Sequence, residues 1–269
     1  MTETITSTHN QRLKDLRALR DRRGRDRSGL FMAEGEDMLT EAVRLGAPPA
    51  IVFYDAGALG PADPPLDMLS PEVELVPATA RALASTGSLG SGSRVIGVWR
   101  QRWAEPAEIA SREGTVAIYL HDVGDPGNVG AILRSAFALG AAGVLLSPRT
   151  ADPFGAKAVR AAMGAVFGVP VARASWDQAR AALGEDWRTI ALVPGAGTTL
   201  GAVVQQQGGR VLFALGAERA GLPPAVVSAS DEQAHVPLAR GGAESLNVAM
   251  TATLCLYEAT IHRLSPDHG

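Results

Sequence analysis

The sequence predicts an α/β protein with two units, the larger of which holds a parallel sheet covered by helices. From about residue 115 onward, short apolar segments typical of strands alternate strictly with helical segments, and glycines bound many of them. The first hundred residues also alternate strand and helix patterns, and a polar stretch containing a proline follows them. We therefore predict a smaller domain over residues 1–100, a linker over 101–114 and the larger domain over 115–269.

The smaller domain opens with a charged helix in "NQRLKDLRALRDRR", where Leu13, Leu16 and Leu19 recur at helical spacing. Four strands are predicted after it, in "GLFMAEG", "AIVFYD", "VELVP" and "SRVIGVWR". Two further helices are predicted in "EDMLTEAVRLG" and "ATARALAST", and "PADPPLDMLSP" is predicted to be a loop.

The predicted strands of the larger domain are "VAIYLHDV", "GVLLSP", "VPVARA", "TIALVP", "RVLFALG" and "HVPLA". The predicted helices are "NVGAILRSAFALG", "GAKAVRAAMGAVFG", "DQARAALGE", "TTLGAVVQQQ" and "SLNVAMTATLCLYEATIHRL". Ligands of such folds bind at the carboxyl ends of the strands, so the loops that follow these strands are where we look for a site.

Composition excludes several classes of protein. The 269 residues carry a formal net charge of −3, which argues against a uniformly basic nucleic-acid binder. No apolar run reaches the roughly 18 residues that span a bilayer, and the N-terminal segment lacks an apolar signal-peptide core. We therefore expect a cytoplasmic protein without a membrane partner. Cys255 lies in an apolar segment and is expected to be buried. No metal is expected, because no metal-ligand spacing relates His9, His121, His235, His262 and His268.

The average charge hides a basic N-terminal segment. Residues 1–30 carry four acidic side chains against eight basic ones, which are Arg12, Lys14, Arg17, Arg20, Arg22, Arg23, Arg25 and Arg27. The guanidinium group suits bidentate contacts with phosphate. A solvated helix face is the alternative interpretation of this segment.

The first candidate site is "DPGNVGAILRSAFALG". It has neither the lysine of a P-loop nor the glycine spacing of a dinucleotide loop. We predict a turn at Pro126 and Gly127 with Asn128 as the N-cap of a helix. An apolar stripe on this helix would face the sheet, with Asn128 and Arg134 on opposite flanks of it. Arg134 is then available to a ligand, although a plain surface arginine has the same pattern.

Two further strand ends carry polar residues. In "VLFALGAERAGLPPAV", glycines permit close approach of the backbone and Glu218 is a charged acceptor. A strand followed by a turn with an exposed salt bridge is the alternative. In "HVPLARGGAESLNVAMTATLCLYEA", Ser245 can cap an apolar helix, and Asn247 must find hydrogen bonds at its start.

A competing nucleotide loop lies in "TIALVPGAGTTLGA". Gly195-Ala-Gly197 follows a strand, and Glu218 lies about 20 residues further on, as in a dinucleotide-binding fold. The third glycine, Gly201, falls one residue late. An NAD-dependent oxidoreductase that uses this loop is therefore a weaker alternative.

Together, the three strand-end loops resemble the motifs of the SpoU (TrmH-like) family of RNA ribose methyltransferases, within the SPOUT superfamily. The first motif is similar to Asn128-Val-Gly130-Ala-Ile-Leu-Arg134-Ser135-Ala136, and the second to Gly216-Ala-Glu218-Arg-Ala-Gly221. The third is similar to Pro237 followed by Ser245-Leu246-Asn247-Val248. The motifs occur in order over roughly residues 115–262. One departure is the charged loop 240–244, where relatives often have small polar residues.

The resemblance implies a trefoil-knotted domain that binds S-adenosylmethionine and methylates a ribose 2′-hydroxyl of RNA, with 23S ribosomal RNA as the expected substrate. It also implies an L30e-like RNA-binding domain at the N-terminus and a homodimer. A transfer RNA 2′-O-methyltransferase and a non-catalytic RNA-binding protein of the same fold are the alternatives.

The resemblance further implies three sets of site residues. The catalytic set is Asn128, Arg134, Glu218, Ser245 and Asn247. The cofactor-binding set is Leu215, Gly216, Glu218, Val236, Leu238, Ser245, Leu246 and Asn247. The RNA-binding set is Arg17, Arg20, Arg22, Arg23 and Arg134. Because an arginine side chain stays protonated at neutral pH, we assign Arg134 to phosphate binding and to stabilisation of the developing alkoxide. A transiently neutral Arg134 that acts as the base is the alternative.

Overall fold

The computed structural model describes residues 3–87, 92–205, 209–239 and 245–261. The chain forms two compact units, one made of residues 1–102 and 154–167 and the other of residues 103–153 and 168–269. Each unit has a sheet of its own. None of the helices in the described ranges is both long and apolar enough to cross a membrane.

The first unit contains four strands, β1 (Leu30–Glu34), β2 (Ile51–Asp55), β3 (Glu74–Ala78) and β4 (Val95–Arg100). They form a sheet in the order β1-β4-β2-β3, in which β2 and β3 are parallel and the other neighbours are antiparallel. Its first helices are α1 (Gln11–Ala18), α2 (Arg22–Ser28), α3 (Glu36–Arg44) and α4 (Ala80–Ala84), with a 3-10 turn at Leu66–Met68.

The single charged helix predicted at the N-terminus is wrong, because the chain turns between α1 and α2. Leu13 and Leu16 are buried, as the helical spacing predicted. The two helices meet so closely that a Cβ atom on Gly24 would lie 1.9 Å from the carbonyl oxygen of Ala18. Only glycine permits this approach, so a corner replaces one continuous helix.

An aromatic cluster places residues 154–167 in the first unit, although they lie inside the predicted domain 115–269. The ring centroid of Phe31 lies 5.0 Å from that of Phe154, and the centroid of Trp99 lies 4.9 Å from that of Phe167. The one helix predicted here is two, α7 (Ala156–Ala162) and α8 (Ala165–Gly168), numbered in chain order. The break falls at Met163 and Gly164, whose φ angles are +48° and +86°.

The second unit contains six strands, β5 (Val116–His121), β6 (Gly143–Leu146), β7 (Val171–Arg173), β8 (Trp187–Leu192), β9 (Arg210–Gly216) and β10 (Glu232–Ala234). Their order is β10-β8-β9-β5-β6-β7, and every neighbouring pair is parallel. The helices are α5 (Pro106–Ser111), α6 (Pro126–Ala138), α9 (Trp176–Leu183), α10 (Leu200–Gln205), α11 (Pro224–Ala229) and α12 (Val248–Ile261). Strands β5 and β9 are buried along most of their length, which confirms a parallel sheet covered on both faces.

Two predictions for the second unit need correction, and one helix was missed. The strand predicted in "HVPLA" is wrong: strand β10 ends at Ala234, and His235 makes only an isolated bridge with Thr199. Pro237 has no N–H to extend a ladder. The predicted linker 101–114 contains helix α5, whose Ile109 is part of the hydrophobic core. Helix α11 was not predicted. The charged loop 240–244 lies outside the described residues.

Candidate active site

The carboxyl ends of β5 and β9 lie side by side at one edge of the six-stranded sheet. The strands are parallel neighbours, and their last pair in register is His121 with Gly216. The loop that leads into α6 and the loop 217–221 therefore leave the sheet next to each other. The topology thus brings the first and second sequence motifs together.

The loop 217–221 is a closed turn. The N–H of Gly221 donates to the carbonyl of Ala217 at 2.9 Å, and Gly221 has a φ angle of +65°. A Cβ atom on Gly216 would lie 2.1 Å from the carbonyl carbon of Gly221, so a larger residue there would force the turn open. The two glycines therefore hold Glu218 and Arg219 at the end of a preformed loop.

Helix α6 begins one turn earlier than predicted, because Asp125 and not Asn128 is its N-cap. Asp125 Oδ1 accepts hydrogen bonds from the backbone N–H groups of Gly127 at 2.6 Å and of Asn128 at 3.1 Å. Pro126 occupies the first helical position, where its missing N–H costs nothing. The side chain of Asn128 is thereby released from capping.

Helix α12 begins at Val248, so the residue before it, Asn247, takes the capping role predicted for Ser245. Asn247 Oδ1 accepts a hydrogen bond from the backbone N–H of Ala249 at 2.8 Å. Ser245 is exposed and lies outside the helix. The predicted need of Asn247 for hydrogen bonds at the start of this helix is met.

The side chains of Glu218, Asn128 and Asn247 form a continuous chain of hydrogen bonds. Asn247 Nδ2 donates to Asn128 Oδ1 at 3.1 Å, and Asn128 Nδ2 donates to Glu218 Oε1 at 2.6 Å. The carboxylate of Glu218 can only accept, so Asn128 must turn its Nδ2 toward it. The N–H of Ala249 can only donate, so Asn247 must turn its Oδ1 toward that N–H. These two partners therefore fix the orientations of both amides. One residue from each of the three motifs takes part.

This chain lines an open cavity of about 580 Å³ at the sheet edge, with Asp122, Asp125 and Arg219 around it. Asp122 accepts hydrogen bonds from Ser147 and Arg149. Burial alone would raise the pKa of Asp122, but the hydrogen bonds from Arg149 and Ser147 outweigh it and lower the pKa below its ordinary value. The cavity therefore holds carboxylates from three separate positions.

The predicted cofactor fits these groups. Its sulfonium is cationic, and the carboxylates of Asp122, Asp125 and Glu218 outnumber the one lining arginine, Arg219. Leu238, which follows β10, is a large apolar side chain with 39% of its surface exposed, but it is not among the residues that line the cavity. The donor set of the cavity thus suits the charged end of the cofactor.

The other members of the predicted cofactor set do not line the cavity. Leu215 is buried at the end of β9, which Gly216 completes. Val236 and Leu246 are half-buried, and Ser245 is exposed. Their role in binding a cofactor stays a prediction.

Arg134 is exposed on α6 and is not among the residues that line the cavity. Within the described ranges no hydrogen bond or salt bridge to its side chain is present. The neighbouring Ser135 Oγ lies 2.7 Å from Thr253 Oγ1 of α12. Arg134 therefore lies on the helix pair α6 and α12, outside the hydrogen-bonded chain that joins the other motif residues.

The predicted RNA-binding arginines of the first unit differ in the contacts that their side chains make. Arg17 donates to the Thr8 carbonyl at 2.9 Å and to Ser85 Oγ at 3.2 Å, so its guanidinium stabilises the fold. Arg22 is exposed and lies 3.6 Å from Asp26.

The side chains of three neighbouring arginines are exposed and make no hydrogen bond or salt bridge with the described residues; we call them the free arginines, and they are Arg20, Arg23 and Arg27. Arg25, in the same basic segment, is buried and donates to the carbonyls of Leu19 and Arg20, each at 2.8 Å. The free arginines are thus open to phosphate, whereas Arg25 is not.

The loop of the weaker alternative does not resemble a nucleotide site. Gly195 and Gly197 belong to a turn after β8, and neither lines the cavity. The turn leads into α10, a helix of only six residues, and Thr199 before it bridges to His235.

Sequence reasoning missed three charged residues of the cavity, Asp122, Asp125 and Arg219. Asp125 could have been found, because an aspartate before Pro-Gly at a helix start is a common N-cap. Nothing local distinguishes Asp122 or Arg219 from other charged loop residues.

Two family models match this chain. The SpoU rRNA Methylase family matches residues 115–257, and the MRM3-like substrate binding domain matches residues 10–91. The chain belongs to the SpoU rRNA methylase family.

Within that family, the chain is 30% identical to the 23S rRNA (guanosine(2553)-2′-O)-methyltransferase RlmP of Bacillus subtilis, over 94% of this chain and 97% of RlmP. It is also 30% identical to the 23S rRNA (uridine(2479)-2′-O)-methyltransferase of Streptomyces viridochromogenes, over 97% of this chain and 93% of that protein. The AdoMet-bound rRNA methyltransferase of Sinorhizobium meliloti superposes with a TM-score of 0.86 at 30% identity, over 98% of this chain and 99% of that one.

Proposed function

We propose that this protein transfers a methyl group from S-adenosylmethionine to a ribose 2′-hydroxyl of 23S ribosomal RNA. The observation that carries the proposal is the hydrogen-bonded chain of Glu218, Asn128 and Asn247 on the cavity. The similarity to 23S rRNA 2′-O-methyltransferases along nearly the whole chain supports the substrate class. Because these two relatives modify different nucleotides, the similarity does not extend to the target nucleotide.

S-adenosylmethionine supplies an electrophilic methyl group when it is bound, so the protein has to align the hydroxyl and manage charge. Glu218 Oε1 is engaged by Asn128, while Oε2 makes no hydrogen bond with the described residues and can accept one from the ribose. The amides of Asn128 and Asn247 are oriented before substrate arrives, so little reorganisation is needed. Leu238, Val236, Leu246, Leu215, Gly216 and Ser245 would hold the adenosine part.

Arg134 would bind RNA phosphate and stabilise the developing alkoxide. Its exposure and its lack of partners in the described part of the chain leave its guanidinium available for a polyanion. A guanidinium group carries five N–H donors and no acceptor, so electrostatic stabilisation suits Arg134 better than the role of base.

A homodimer formed through α12 would complete the site. Met250 and Tyr257, seven residues apart on α12, are 61% and 47% exposed, and the half-buried Leu254 and Ile261 continue the same apolar face. Such a face in water favours a protein partner. Arg134 lies beside this helix pair, so a dimer would bring it toward the partner's surface.

The dimer can be tested by light scattering, which should return about twice the 27.9 kDa chain mass. Met250→Asp should shift the protein toward the monomer. Met68→Asp, at a methionine of the first unit that is 45% exposed, should leave the dimer intact. A wild-type monomer with full activity would contradict this part of the proposal.

The first unit would supply RNA affinity through the free arginines Arg20, Arg23 and Arg27, together with Arg22. The match to a substrate-binding domain over residues 10–91 supports this role. We further propose an L30e-like fold for this unit, a trefoil knot in the methyltransferase domain and action in the cytoplasm, where ribosomal RNA is found.

Labelled S-adenosylmethionine, purified protein and 23S ribosomal RNA from cells that lack the protein provide the direct test. We expect transfer of label to one ribose, and loss of transfer when that nucleotide is replaced by its 2′-deoxy form. Labelling of transfer RNA alone would favour the transfer RNA alternative. RNA binding without any heat of cofactor binding at millimolar concentration would favour a non-catalytic protein.

A further inference from the structure

Asp122, which the family motifs do not include, has an unusual backbone at the cavity. It follows β5 directly, and its φ angle of +56° lies in the left-handed region that favours glycine. Its side chain is 21% exposed and lines the same cavity as Asn128, Glu218 and Asn247. Strained residues of this kind concentrate at functional sites.

A buried polar network holds Asp122 in this conformation. Its N–H donates to Ser147 Oγ at 2.9 Å, and its Oδ1 accepts from the same hydroxyl at 2.7 Å. Thr150 Oγ1, close to Ser147, donates to the carbonyl of Leu120 at 2.9 Å. Ser147 and Thr150 are 2% and 1% exposed, so the network is part of the core at the end of β5.

The outer oxygen of Asp122 holds Arg149. Arg149 Nε donates to Asp122 Oδ2 at 3.0 Å, and Nη2 donates to the same oxygen. The side chain of Arg149 is nevertheless 81% exposed. Its remaining N–H groups, on Nη1 and Nη2, make no hydrogen bond with the described residues and face solvent in a fixed orientation.

Stability does not account for the pairing of Asp122 with Arg149. An exposed salt bridge contributes little to folding, and the hydrogen bonds with Ser147 use the N–H and Oδ1 of Asp122 rather than the Oδ2 that holds Arg149. The arrangement does account for a fixed arginine beside the cavity. The rotamer freedom that an arginine usually loses on binding is already restricted in Arg149 by Asp122.

The charge of the cavity indicates what Arg149 would bind. Carboxylates of Asp122, Asp125 and Glu218 line it, and they repel the phosphates of an approaching RNA. Arg149 offsets the charge of Asp122 and presents the planar donor edge that recognises phosphate. We infer that Arg149, positioned by Asp122, binds an RNA phosphodiester beside the target ribose; this rests on the proposed function.

The test compares Arg149→Ala with Arg112→Ala. Arg112 is also exposed in the second unit, and its side chain makes no hydrogen bond or salt bridge in the described ranges, but it lies before β5, at the opposite edge of the sheet. With 23S ribosomal RNA as the probe, Arg149→Ala should weaken binding by about tenfold, the loss of one charge-assisted contact. The log–log salt dependence should flatten by about 0.7 to 0.9. Arg112→Ala should change neither, and the S-adenosylmethionine Kd should stay the same in both variants.

The positioning role of Asp122 has its own readout. Asp122→Gly removes the left-handed strain but also the hydrogen bond that Ser147 donates to Oδ1, so the melting temperature should change little, whereas RNA binding should weaken. The double variant Asp122→Gly with Arg149→Ala should bind RNA no more weakly than Arg149→Ala alone. Arg149→Lys should restore the salt dependence but only part of the affinity, and the catalytic loss should fall on KM for RNA more than on kcat.

Wild-type RNA affinity in Arg149→Ala would overturn the inference, as would equal losses in Arg149→Ala and Arg112→Ala. Should Asp122→Gly fail to fold, the arginine variants still decide the question. Absence of methylation by the wild-type protein would instead count against the proposed function, because RNA binding is measured without turnover.

Discussion

The cavity edge of the second unit and the basic corner of the first unit both carry polar groups, but they are organised differently. At the cavity, Glu218, Asn128 and Asn247 bond to one another, so each side chain has one orientation. At the corner between α1 and α2, the side chains of the free arginines make no hydrogen bond with the described residues and keep their rotamer freedom. The first arrangement suits a reaction that needs alignment, and the second suits a long, repetitive anion.

The difference predicts that single changes at the cavity have large effects, whereas changes at the corner add up gradually. Asn128→Ala should produce the largest effect, a fall in methyl transfer of about a hundredfold or more, because it separates Glu218 from Asn247. Radiolabel transfer to 23S ribosomal RNA measures it. Asn10→Ala, which removes the N-cap of α1 through the same substitution, should cost stability but not turnover per folded molecule. Comparable turnover in the two variants would remove the distinction between the regions.

Arg134→Ala should follow closely, with label transfer lost and S-adenosylmethionine binding nearly intact. The reason is that Arg134 lies outside the hydrogen-bonded chain and would act only on RNA and on the developing charge. Calorimetry of cofactor binding, run beside the transfer assay, separates the two effects. Full activity in this variant would show that the arginine of the first motif has no catalytic role here.

Replacement of the free arginines Arg20, Arg23 and Arg27 by glutamine should have a smaller, graded effect. If all three contact phosphate, the log–log salt slope of RNA binding should flatten by roughly two to three units, and single variants by about one each. Cofactor binding should not change. Filter binding across a salt series measures the slope. A slope equal to that of the wild type would show that the free arginines form a solvated helix face and do not contact phosphate.

Arg17→Ala should have the smallest effect on RNA and should act on stability instead. It removes the hydrogen bonds to the Thr8 carbonyl and to Ser85, so we expect a loss of about 1–2 kcal/mol in the free energy of unfolding. Chemical denaturation measures that loss. A large fall in RNA affinity without destabilisation would place Arg17 back among the RNA-binding residues.

Much of the fold follows from local pattern. Apolar runs of strand length marked the strands of both sheets except β10, because strands covered on both faces have little freedom to be polar. Two of the three motif loops, those after β5 and β9, were found at strand ends for the same reason. Boundaries were less accurate: one N-terminal helix became α1 and α2, because the close approach at Gly24 is not visible in helical spacing.

The site itself is only partly visible in the pattern. Spacing identified Asn128, Glu218 and Asn247 as polar residues at strand or helix ends, but it assigned the capping of α6 and α12 to the wrong residues. Asp125 and Asn247 take those roles because the backbone N–H groups within reach depend on where each helix begins. That starting point is set by packing as well as by propensity.

The amino-acid sequence alone thus determined which segments form most of the strands and helices and which loops carry polar residues, because both properties depend on neighbours along the chain. Contacts across long separations were established by the fold. Residues 154–167 belong to the first unit because Phe154 and Phe167 pack on Phe31 and Trp99. Asn128 donates a hydrogen bond to the carboxylate of Glu218, which lies 90 residues further along the chain. The parallel register of β5 and β9 brings Asn128 and Glu218 together, and a pairing between distant strands leaves no periodic trace in either segment.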